Sequence, residues 1–88
     1  MRIEFDPDKE RLNRKNHKSV GFQEAASCLL DPLALVREDG DAKGEQCFVL
    51  LGMSNAARLL VVVYALRGET VRLISARKPT QREEKSYA

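Results

Sequence analysis

Residues 58–65 read RLLVVVYA and residues 71–77 read VRLISAR, with Arg67-Gly68-Glu69 between them. The first run is dense in β-branched residues, the strongest strand signal in the chain, and the second has the same character. The short glycine-containing link predicts a hairpin turn. The run from Gln46 to Leu51 predicts a further strand ending at Gly52, joined to the hairpin by a connection over residues 53–57. Residues 37–45, REDGDAKGE, are polar and rich in turn formers, which predicts a loop. Before it, Phe22, Ala25, Ala26 and Leu29 recur at helical spacing after Gly21, and Pro32 stops that helix after Asp31. Residues 1–5 alternate apolar and polar, as a short strand does. Asp6-Pro7 then opens a helix over about Pro7 to Asn16, whose single large apolar residue, Leu12, leaves it mostly exposed. From Thr80 the chain is helix-prone and charged. The order is therefore β-α-α-β-β-β-α in one domain over residues 1–88. This is an α+β fold with a small antiparallel sheet and helices on one face.

The composition narrows the classes of function. Of 88 residues, 43% are hydrophobic and 32% charged, which is a globular composition. No apolar run reaches the roughly 18 residues of a membrane span. Met1-Arg2 leads into a charged alternating segment, so neither a signal peptide nor a membrane partner is expected, and the expected location is the cytoplasm. Two cysteines, Cys28 and Cys47, are too few for a disulfide scaffold, and Cys28 beside the helical stripe reads as a small buried hydrophobe. No ligand set for a metal stands out, so no metal or other cofactor is expected.

The net charge is only +2, but it is unevenly placed. Residues 9–18 carry five Lys/Arg against one Glu and hold the single histidine, His17. Residues 31–45 carry five acids against two bases, and residues 67–88 carry six Lys/Arg against three acids. Two basic ends around an acidic middle suit a basic groove for a polyanion. The exposed first helix leaves Arg14, Lys15 and His17 free to face a ligand. In the hairpin, strand alternation puts Arg58, Leu60, Val62 and Tyr64 on one face. Leu59, Val61, Val63 and Ala65 share the other face, which is wholly apolar and expected to meet the helices. A two-residue turn carries 73, 75 and 77 onto the Arg58–Tyr64 face, gathering Arg58, Arg77, Tyr64 and Ser75 as a phosphate-binding surface. Arg72 and Lys78 then fall on the opposite face. A turn of odd length reverses that register.

Several strings together resemble the BrnT family of small bacterial type II toxins. They are FDPDK at 5–9, Asn13 with His17, FQEA at 22–25, DPLAL at 31–35, GE at 44–45, RLLVVV at 58–63, RGE at 67–69 and RLISARK at 72–78. The resemblance spans nearly the whole chain, and ISARK followed by Thr80 and Glu83 is its most specific piece. It implies a RelE-like fold and a ribonuclease that inhibits translation and growth, neutralised by a BrnA-type antitoxin. Operator DNA is then contacted through the antitoxin. Tyr64 stands where the family often has His.

RNA cleavage needs a base for the 2′-OH proton, an acid for the leaving 5′-oxygen, and cations for the crowded phosphorane. With no metal cluster in view, a metal-free route is expected. The catalytic candidates are Arg58 and Arg77 for the phosphate, Tyr64 as proton donor or orienter, and His17, whose side-chain type titrates near neutrality. Arg14, Lys15, Lys78 and Arg72 are the candidate RNA contacts. A second reading stays open on the same residues: a catalytically weakened toxin homologue that only binds nucleic acid or antitoxin.

Overall fold

The computed structural model describes residues 2–17, 20–42 and 45–87; of residues 41 and 42 it describes the backbone alone. Among these residues the chain runs β1 (Arg2–Glu4), α1 (Pro7–Asn16), α2 (Phe22–Ser27), a 3-10 turn (Cys28–Leu30), β2 (Leu35–Ala42), β3 (Glu45–Met53), β4 (Leu59–Arg67), β5 (Thr70–Arg77) and α3 (Gln81–Ser86). The strands form one sheet in the order β1-β5-β4-β3-β2. Four of them make an antiparallel meander, and β1 joins β5 in parallel. The α+β class expected from the sequence is the one observed, with a mixed rather than a purely antiparallel sheet. No helix of the described residues is long and apolar enough to cross a membrane.

The expected loop over residues 37–45 is instead mostly strand. Arg37 pairs with Val49 and Glu38 with Phe48, and a bulge separates Glu38 from Asp41. Lys43 and Gly44 lie outside the described residues. The segment is polar because it is an edge strand. Its backbone pairs with β3, while solvent reaches both of its faces, so no apolar alternation is required.

The two faces of the sheet are reversed relative to expectation. Leu60, Val62, Leu73 and Ala76 are fully buried against Val20, Phe22, Ala25 and Cys28 of the α2 side. Thus the even-numbered face of β4, not Leu59–Val61–Val63–Ala65, meets α1 and α2. The odd face is buried as well, Val61 being 1% and Ala65 2% exposed, with α3 placed over part of it. A central strand covered on both sides is apolar on both sides, so alternation alone cannot orient it.

The hairpin begins in the expected two-residue register, Arg67 opposite Thr70 and Tyr64 opposite Leu73. A bulge then inserts Ile74, and from Val63↔Ser75 onward the pairing is shifted by one. One extra residue flips every later side chain. Arg77 consequently lies opposite Val61, on the face away from Tyr64.

Beyond Arg72 the outer edge of β5 no longer has β1 beside it. Asn13 of α1 takes over there. Its Nδ2 donates to the carbonyls of Ala76 (2.8 Å) and Val20 (2.9 Å), and the Ala76 N–H donates to its Oδ1 (3.0 Å). A side-chain amide thus stands in for the next strand, which fixes α1 along the free edge of β5.

Candidate functional site

The α1 helix is capped by the Asp6 carboxylate, which accepts from the Asp8 N–H at 2.8 Å, and Pro7 occupies its first turn. Asp8 and Glu10 lie at its start and Arg14 and Lys15 at its end, the arrangement the helix dipole favours. His17 closes it, its backbone N–H donating to the Asn13 carbonyl at 2.8 Å. Because Asn13 pins this helix end to Ala76, His17 and Asn16 come beside Arg77 and Lys78. These four residues line a cleft of about 260 Å³. A second depression of about 260 Å³ continues from Asn16 and His17 along the β5 edge to Lys9, Leu12, Ile74 and Ser75. The result is a groove with cationic side chains at both ends and a mainly apolar floor of Leu12 and Ile74, edged by Asn16 and Ser75, between them.

Arg77 is held from α3. Its Nη1 and Nη2 donate to the two carboxylate oxygens of Glu83 at 2.8 and 2.9 Å, and Nη1 also donates to the Lys78 carbonyl at 3.2 Å. Glu83 is in turn fixed by a capping box: its Oε1 accepts from the Thr80 N–H (2.8 Å), while the Thr80 hydroxyl accepts from the Glu83 N–H (3.2 Å). The Glu83 carboxylate thus occupies the Nη1/Nη2 end of the guanidinium. The edge formed by Nε and the second Nη2 hydrogen has no partner among the described residues. That edge is a pair of parallel donors suited to a phosphate.

The hydrogen bonds from Arg77 hold the Glu83 carboxyl well down, to about 2 from an ordinary 4.5. A depressed acid stabilises the fold above its unfolded pKa and loses that contribution as pH falls through the folded one. We therefore expect α3 to loosen between about pH 4.5 and pH 2, with little change above, and Glu83→Gln to remove this step. Amide exchange of residues 81–86 across that window measures it; identical pH profiles for parent and variant would refute it.

The remaining sequence candidates are elsewhere. Arg58 does not share a surface with Arg77. It precedes β4 and forks onto Glu24 of α2, Nε donating to Oε2 at 2.9 Å and Nη2 to Oε1. Ser54 donates to the same carboxylate at 2.7 Å. The hydrogen bond from Arg58 is the main cause holding the Glu24 carboxyl below its ordinary value, against the opposing effect of burial. The edge that Arg77 keeps open is the one Arg58 gives to Glu24. Tyr64 stacks on Phe48, ring centroids 5.3 Å apart, on the inner face of the sheet. Arg72 shares a face with Arg77, and its Nη2 alone donates to both carboxylate oxygens of Glu45, at 2.8 and 2.7 Å, bridging over β4. Arg14 lies against Gly21 and 3.6 Å from Glu10. Lys15 borders a shallow depression with Asp8, Arg11 and Leu12. Cys28 is fully buried, and burial pushes its thiol up to about 11, which leaves it an inert core residue as expected.

The geometry gives Arg58 a structural partner, and its removal should be felt in stability. An exposed ion pair contributes about 0–1 kcal/mol and a buried one costs about 3–5 kcal/mol to break. With side chains 37% and 18% exposed, Arg58→Ala should cost about 1–2 kcal/mol, a fall of roughly 5–15 °C in melting temperature. A melt within 2 °C of the parent, with cleavage abolished, would instead make Arg58 a functional residue.

Residues 5–83 match the family model described as ribonuclease toxin, BrnT, of type II toxin–antitoxin system. The chain belongs to the BrnT family. Family membership makes it a type II ribonuclease toxin by descent and implies a protein antitoxin as partner. Among solved structures it resembles the 1.1 Å crystal structure of the Brucella abortus ribonuclease toxin BrnT. The TM-score is 0.69 and the identity 24%, over 92% of this chain and 99% of that one, a likeness in fold. Among curated proteins none matches this BrnT-family chain significantly.

Sequence reasoning assigned no role in the site to Asn16 or to the hold of Glu83 on Arg77. The second was readable: Thr80-Gln81-Arg82-Glu83 is a capping-box pattern, and it follows directly on Arg77-Lys78-Pro79. Asn16 carried no signal, because its place in the cleft depends on how α1 docks.

Proposed function

We propose that this BrnT-family chain is an active endoribonuclease whose reaction takes place in the cleft between the end of α1 and the end of β5. The observation that carries the reading is the convergence of His17 with Arg77 and Lys78, brought together from positions 60 residues apart in sequence. The cleft holds a proton-transfer side chain beside two cations, the minimum for in-line attack of a 2′-OH on its neighbouring phosphate. Arg77 receives a non-bridging pair of phosphate oxygens on its open Nε/Nη2 edge, and Lys78 adds a point charge. His17 takes the proton from the attacking 2′-oxygen, a solvent water gives a proton to the leaving 5′-oxygen, and Asn16 orients the ribose. These groups supply the base and the charge stabilisation without a metal, and solvent supplies the acid. The depression that runs past Leu12 and Ile74 to Lys9 carries the continuing strand, and Lys15 and Arg14 extend the positive surface along α1. Tyr64, stacked on Phe48 on the inner face, and Arg72, paired with Glu45, lie outside the reacting centre in this reading.

In the cell such cleavage would act in the cytoplasm, stop translation and slow growth, and a BrnA-type antitoxin, itself the operator-binding partner, would neutralise it. Expression of the chain alone is expected to slow growth and co-expression of the adjacent antitoxin to restore it. The purified chain is expected to cleave RNA equally with and without a chelator, leaving a 2′,3′-cyclic phosphate. Unaffected growth at verified expression, with no cleavage in vitro, would favour the weakened homologue that only binds.

A further inference from the structure

Five of the large apolar side chains most open to solvent flank the start of β2, with Leu35 and Val36 on opposite faces of the strand: Leu30 (76% exposed), Leu33 (58%), Val36 (51%), Leu35 (43%) and Met53 (37%). Asp31 gathers them, accepting from the Leu33 N–H at 2.9 Å and from the Met53 N–H at 2.8 Å. Clusters of this kind on a globular surface mark an interaction site. They sit at the start of β2, the edge strand, whose outer backbone has no strand partner among the described residues. Between this strand and α3 runs a groove of about 220 Å³ floored by Leu51. An open backbone edge, apolar side chains on both of its faces and an adjoining groove are together what a added strand requires.

We propose that the β2 edge is the docking surface for the protein antitoxin, which adds an extended apolar segment along β2 and seats side chains in the groove. The proposal rests on the family reading for the existence of that partner and locates it on the fold. RNA is a poor occupant, because Arg37 is paired with Asp39 at 3.3 Å and Glu38 and Asp39 make this stretch acidic. A second copy of the chain is disfavoured for the same reason: two-fold pairing of β2 with itself about these acids sets like charges opposite one another. An antitoxin strand carrying apolar residues and a basic one toward Glu38–Asp39 meets both requirements. The β2 edge is the opposite edge of the sheet from the one α1 covers, while the groove beside β2 reaches Glu83, the partner of Arg77.

The test is the double variant Leu33→Glu/Val36→Lys, both positions more than half exposed. Its affinity for the antitoxin encoded beside this chain is measured by calorimetry, with RNA cleavage and melting of the free protein alongside. Affinity should fall about 100-fold or more, while cleavage and melting stay at parental values. Hydrogen exchange on the parent is independent of any folding defect in the variant: β2 amides should slow on adding antitoxin. Unchanged affinity, or β2 amides that exchange as fast in the complex as alone, would overturn the proposal. Self-association of the parent that the variant loses, with antitoxin affinity intact, assigns the edge to a second copy and also overturns it. Absent cleavage in both proteins with antitoxin affinity lost only in the variant would sink the ribonuclease reading and leave the docking surface standing.

Discussion

Arg77→Ala should lower RNA cleavage by about 10²- to 10³-fold, the scale for losing one preorganised donor to transition-state charge. His17→Ala should lower it by about 10²- to 10⁴-fold, the range for a general acid or base. Both side chains line the same small cleft, and the two losses act on one step, so the double variant should fall well short of their product. Arg77→Lys should recover little, because an ammonium cannot offer two parallel donors on one edge. Arg77 also anchors α3 through Glu83, so loss of cleavage could follow from loss of helix docking alone. Glu83→Gln separates the two causes. It weakens the same anchor but leaves the Nε/Nη2 edge intact, and should keep cleavage within several-fold of the parent. Single-turnover cleavage of a defined RNA, with melts of every variant, decides. Parental rates for both Arg77→Ala and His17→Ala would place the reaction outside this cleft.

The largest effect on stability should come from Asn13→Leu. Asn13 is 6% exposed, and its amide makes all three of its hydrogen bonds to backbone groups near the β5 edge. Leucine is similar in size but leaves the Ala76 N–H and the Ala76 and Val20 carbonyls without partners in the interior. Each orphaned group costs about 1–3 kcal/mol. A loss of about 3 kcal/mol or more is a large share of the roughly 5–15 kcal/mol that holds a domain of this kind. Melting should fall by roughly 15 °C or more. Asn13→Asp should fare little better, since it keeps the acceptor for the Ala76 N–H but turns a carboxylate oxygen toward two carbonyls. Because the same amide positions His17, any Asn13 variant that still folds should also cleave poorly. A melt for Asn13→Leu within a few degrees of the parent would show that water or a shifted α1 satisfies the edge.

These expectations put different weight on the arginines than a flat reading of the hairpin does. Arg58 and Arg77 have the same side chain and near-equal exposure, 37% each, yet one gives Glu24 the donor edge that the other leaves open. Residue type named both as phosphate ligands, and partner geometry is what separates them.

Local chemistry is what the sequence determined unaided. Asp6-Pro7 starts α1 and the apolar spacing after Gly21 makes α2. The β-branched run makes β4, and Gly68-Glu69 turns it back into β5. Each depends on neighbours within a few residues, so the α+β class and the order of most elements were legible. The resemblance to the BrnT family lay in the same local strings. Three features depended on the assembled sheet. β2 is a strand only because β3 supplies its backbone partners, so its polar residues looked like a loop. The faces of β4 could not be told apart, because helices cover one and α3 part of the other. Ile74 is a bulge that nothing in the run from Val71 to Arg77 marks, and that single residue turns Arg77 away from Tyr64. The candidate site follows from this last step: a pairing register is a property of two strands, and no single stretch of chain contains it.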